Sequence, residues 1–108
     1  MKINKKSKIE IMKAVFIAYN QALTEAVSSI LDRHHVRGFT KWAEAHGRGS
    51  HNGEPHFGTH TWPAMNSAIL AITDDERIEP LLTSLKKLDT KAEQQGLRAF
   101  VWNIEGMI

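Results

Sequence analysis

Two strand–helix–strand runs, separated by one long polar segment, predict an α+β chain: a ferredoxin-like βαββαβ sandwich with a long loop between its second and third strands. Three observations carry that fold class. Short runs rich in apolar, β-branched and aromatic residues recur at Lys13–Tyr19, Phe39–Ala45, Met65–Ile72 and Leu97–Ile104. Apolar residues return at helical spacing between the first and second runs, and again between the third and fourth. Residues 46–64 then divide the chain into two similar halves. A right-handed crossover in each half sets both helices on one face of one sheet.

The elements follow in order. Residues 1–11 read as a basic extension and 12–108 as one domain. Lys13–Tyr19 is a buried strand, and Asn20 is placed to cap the helix after it. On that helix Leu23, Val27, Ile30 and Leu31 fall on one face, and Gly38 lies beyond its end. His34 and His35 sit at the helix C-terminus, where the dipole favours positive charge. Phe39–Ala45 and Met65–Ile72 are the second and third strands. Thr73 with Glu76 three residues on matches a capping box for the second helix. That helix is marked by Ile78, Leu81, Leu82, Leu85 and Leu88 and stops near Gly96. Pro80 suits only a first turn, so the helix is expected to begin nearer Glu79 than the capping box implies.

The strands are apolar on both faces. Val15, Ile17 and Tyr19 alternate with Ala14, Phe16 and Ala18, while Ile69 opposes Leu70 and Val101 opposes Trp102. An antiparallel sheet with one wet face alternates with polar residues instead. The helix-free face therefore needs a cover, and the chain has no spare element; self-association supplies one.

At 108 residues, one domain can bury a core of its own. The chain has no cysteine, hence no disulfide framework and no thiolate site, which fits a cytoplasmic setting. Its longest apolar run, Ala14–Tyr19, is far short of the roughly 20 residues that span a bilayer, so no membrane insertion is expected. Residues 1–13 carry five lysines and one glutamate, net +4, and the remainder nine basic and eleven acidic residues, net −2. The body is thus no basic nucleic-acid surface.

The segment 46–64 holds four of the six histidines, four of the seven glycines and two of the three prolines. A loop of this length in a compact domain is usually functional or disordered. His46, His51, His56 and His60 offer neutral imidazoles suited to a divalent transition metal, although no named ligand spacing is present. Arg48 between Gly47 and Gly49 can present a guanidinium and bare amides to an anion. Trp42 and Trp102 could stack on a flat ligand but are more in keeping with a core. Trp62, followed by Pro63, is expected to anchor the loop or contact a partner.

The element order, the long loop, and the segments Gly47-Arg48-Gly49 and Phe100-Val101-Trp102 resemble the PII-like signalling proteins over residues 12–108. The likeness is to the divergent "new group" of that family, with the CutA cation-tolerance proteins as more distant cousins. It implies a trimer whose sheet faces pack inward and whose long T-loop, here residues 46–64, controls a partner such as a membrane transporter. It also implies an adenine nucleotide in the cleft between subunits, with Arg98 as the basic residue entering the last strand. The pattern departs at four places, one of them the C-terminal arginines that clamp phosphates in the family, which have no counterpart here. Gly49 stands where the family's Gly-Arg-Gln carries its glutamine, Gln95-Gly96-Leu97 replaces Gly-Asp-Gly, and the loop tyrosine is absent, Tyr19 being the only one. Two other readings stay open: a metal-binding protein without signalling, and a dimeric α+β barrel enzyme using a loop histidine as general base.

Overall fold

The computed structural model describes residues 11–48, 55–56, 65–92 and 96–108; for Arg48, Pro55 and His56 the backbone alone is described. Strand β1 (Met12–Asn20) leads through a 3-10 turn (Gln21–Leu23) into α1 (Thr24–Arg33), and β2 (Phe39–Ala45) returns. Two short strands, β3 (Gly47–Arg48) and β4 (Pro55–His56), precede β5 (Asn66–Asp74). A second 3-10 turn (Asp75–Arg77), α2 (Ile78–Lys91) and β6 (Arg98–Asn103) complete the fold. The main sheet has the order β2-β5-β1-β6 with every neighbour antiparallel. This is the ferredoxin-like topology that the sequence predicts.

The core lies between one sheet face and the helices. Val15, Ile17 and Tyr19 of β1 and Ile69 and Ala71 of β5 meet Val27, Ile30 and Leu31 of α1 and Leu81 and Leu85 of α2. Each buried valine, isoleucine or leucine among them contributes roughly 1.5–3 kcal/mol by leaving water. The amphipathic spacing of both helices thus faces the sheet as expected.

Two local expectations need correction. Thr73 caps no helix: it pairs with Lys13 in the β1–β5 ladder, and its hydroxyl donates to Asp74 (3.1 Å). Strand pairing outweighs the local capping pattern, and Arg77 takes the Asp74 carboxylate at 2.5 and 2.7 Å. The α-helix begins at Ile78, which leaves Pro80 in the first turn, where no backbone N–H is needed. Asn20 does cap, but the 3-10 turn: its Oδ1 accepts from the Ala22 N–H (2.8 Å).

The second correction concerns the tryptophans. In the ladder register Trp42 stands opposite Ala68, Phe16 opposite both Leu70 and Phe100, and Ala14 opposite both Ile72 and Trp102. Opposed residues share a face, so this is the helix-free side. Trp42, Phe100 and Trp102 are 47%, 57% and 49% exposed. Neither tryptophan joins the core of the subunit; both stand on its uncovered apolar face.

Candidate ligand cleft and loop base

The long loop springs from a bulge. Ala43 and Glu44 together oppose Ser67, between the pairs Trp42–Ala68 and Ala45–Asn66. The Ala43 carbonyl, turned out of the ladder, accepts from Ser67 Oγ (2.6 Å) and Gln21 Nε2 (3.0 Å). Those bonds fix the exit of β2, and β3 follows after His46.

Gly47 sits in a crowded place. A Cβ there would come within 2.7 Å of Asn66 Nδ2, and Asn66 is buried between Asn20 and Ala45. The β3–β4 ladder pairs Gly47 with His56 and Arg48 with Pro55, a short hairpin-like ribbon where the sequence suggests only loop. The ribbon sets the backbone of position 56 opposite Gly47, the residue after His46.

Of the candidate anion-binding residues, Gly47 and Arg48 therefore lie at the loop base, and Gly49 is outside the described residues. Arg98 opens β6. Its Nη1 donates to the Leu97 carbonyl (2.7 Å) and stands 3.9 Å from Asp89 Oδ1 of α2, an oxygen otherwise unpartnered and buried. Arg48 and Arg98 occupy the same end of the sheet, because Ala45 pairs with Asn66, Asn66 with Asn20, and Arg98 with Ala18. Arg98 lies on the β6 edge, whereas Arg48 belongs to β3 of the separate two-stranded sheet, in the chain that continues from β2 on the opposite edge. Three inter-strand steps of about 4.8 Å separate those edges by roughly 14 Å.

Of the candidate metal ligands, His46 is exposed, His56 is described by its backbone only, and His51 and His60 lie outside the described residues, as does Trp62. Among the described residues no group of three His, Asp or Glu side chains is placed to hold a metal. His34 closes α1, and its Nε2 is 2.8 Å from Ser84 Oγ of α2. Tyr19 is wholly buried; its nearest polar neighbours, Thr24 and Ser67, donate to the carbonyls of Gln21 and Ala43. Burial pushes its phenol above the usual range. A side chain so placed is closed to modification in the folded subunit.

A β2-β5-β1-β6 sheet with two helices on one face and a bulge where the long segment leaves β2 defines the class: a ferredoxin-like α+β domain. The model of the nitrogen regulatory protein P-II family matches residues 12–108, and the chain belongs to that family. Among solved structures it is similar to CPII, a nitrogen regulatory PII-like protein from Thiomonas intermedia K12, in a complex with ADP, AMP and bicarbonate. That match has 26% identity, covers 86% of this chain and 85% of that one, and has a TM-score of 0.70. A PII-like signalling protein from Thermus thermophilus matches at 20% identity over 86% of each chain, with a TM-score of 0.63. The GlnK–ATP complex of B. subtilis matches at 17% identity over 90% of this chain and 86% of that one, with a TM-score of 0.64. These last two share the fold. No curated protein matches the chain.

Proposed function

We propose that this protein is a cytoplasmic, trimeric regulator that binds a small anionic ligand, an adenine nucleotide in the first instance, and controls a partner through residues 46–64. One observation carries the reading. Gly47 and Arg48 follow the end of β2, one edge of the main sheet, and Arg98 opens β6, the other edge, at that same end. In the proposed trimer they converge where the β2 edge of one subunit meets the β6 edge of the next. Gly47 and Gly49 then open the backbone to phosphate oxygens, and Arg48 and Arg98 supply charge from two sides. CPII, at 26% identity, holds ADP, AMP and bicarbonate, which supports a nucleotide with room for a second small anion. The partner proposed is a membrane transporter; the protein itself is a regulator and not an enzyme. Among the described residues no helix is long and apolar enough to cross a membrane.

Calorimetry with ADP tests this. Arg48→Ala should weaken binding at least tenfold, about 1.4 kcal/mol or more, with folding unchanged. An unaltered affinity would place the anion elsewhere.

A second reading, which rests on the four histidines of this segment, is that the loop also takes a divalent transition metal on His46, His51, His56 and His60. Zinc should then protect residues 50–61 from proteolysis at pH 7.5, and protection should fade below about pH 6.5 as imidazole protonates. Cleavage indifferent to zinc would leave residues 46–64 as a protein-contact loop alone.

A further inference from the structure

The outer face of the sandwich carries a feature that the nucleotide reading does not use. A shallow groove of about 310 Å³ runs between α1 and α2, rimmed by Arg33, Lys87 and Lys91 over a floor of Ala26, Ile30 and Leu88. No carboxylate lines it. The ion pairs among the described residues are Lys13–Asp75, Arg77–Asp74 and Arg98–Asp89, so none of the three rim cations has an acidic partner there. Lys87 and Lys91 are one turn apart on one helix face, about 6 Å between Cβ atoms, and Arg33 stands across from them. The His34–Ser84 bond joins the two helices beside the groove.

Helix dipoles account for part of this charge. Arg33 and Lys91 lie in the last turns of their helices, where cations are favoured. Lys87, a turn earlier, gains little from that effect. Nor does overall charge explain the cluster, since residues 14–108 carry a net −2.

We propose that this groove is a second docking surface, taking an acidic segment of a partner protein whose carboxylates bracket one apolar side chain. The carboxylates would pair with Arg33, Lys87 and Lys91, and the apolar group would rest on Ile30 and Leu88. Charge complementarity selects the acidic partner, and the sunken floor selects a peptide. Ile30 is only 6% exposed, so the apolar part must be reached by an inserted side chain, not by a flat lipid surface. A single-stranded nucleic acid needs stacking platforms, and no aromatic residue lines the groove.

Fluorescence anisotropy tests the proposal with a labelled peptide of about twelve residues, glutamates flanking a central leucine, whose binding should weaken with added salt. The double variant Lys87→Glu/Lys91→Glu should lower affinity at least tenfold while ADP affinity and oligomeric state stay those of the parent. Replacing the peptide's leucine with alanine should lower it several-fold with no change to the protein. Three outcomes would overturn the proposal: equal binding by the double variant, indifference to the leucine, or tighter binding of phosphatidylserine vesicles or oligouridine that the same variant abolishes. Loss of ADP binding in the parent would sink the nucleotide reading and leave this surface standing.

Discussion

His35 ends α1 in the left-handed region, at φ 58°. Its N–H bonds to the Asp32 carbonyl (3.0 Å) and that of Val36 to Leu31 (2.9 Å), a Schellman closure with Val36 and Leu31 both buried. Glycine carries no Cβ penalty there, so His35→Gly should stabilise the fold by about 1 kcal/mol, read as a higher thermal midpoint. A lower midpoint would show that the imidazole makes a contact that outweighs backbone strain. At Gly47 the opposite holds: alanine must displace the buried Asn66 amide, so Gly47→Ala should lower the midpoint. The Arg77 guanidinium, hydrogen-bonded to Asp74, holds that carboxyl below its usual range. Its contribution is complete above the ordinary carboxylate pKa of about 4 and is lost as pH falls through the lower folded-state value. Acid titration of Arg77→Leu should therefore show a shallower loss of stability below that pH than the parent. An identical slope would mean that the pair contributes nothing. At this scale the sequence was partly legible. The histidines at the end of α1 and the glycine at the loop base follow from local chemistry. The His34–Ser84 bond joins residues 50 apart and carries no local signal.

At the scale of elements, hydrophobic period located all four main strands and both helices, because each buries one face against the same core. It misjudged Thr73, where a local capping pattern competed with a nine-residue antiparallel ladder and lost. It also missed the β3–β4 ribbon, since Gly-Arg and Pro-His have little strand propensity. That ribbon forms its own two-stranded sheet, separate from the main one. Deleting residues 50–61 should accordingly leave the thermal midpoint and assembly near those of the parent, with slightly less loop-closure entropy to overcome. A large fall in the midpoint would show that the loop packs on the domain.

For the whole molecule, the two-sided apolar strands were visible in the sequence, but which residues stay uncovered was not. Register decides that, and it sets Trp42, Phe16, Phe100 and Trp102 on one open face. Such a face is expected to close on copies of itself, and the proposed ligand cleft needs that closure to bring Arg98 of one subunit to the loop base of the next. Assembly and ligand binding are thus one claim, and native mass spectrometry with added ADP tests both together. Three chains of 12.2 kDa carrying up to three nucleotides are expected. A stable monomer, or a trimer that takes up no ADP, would contradict it.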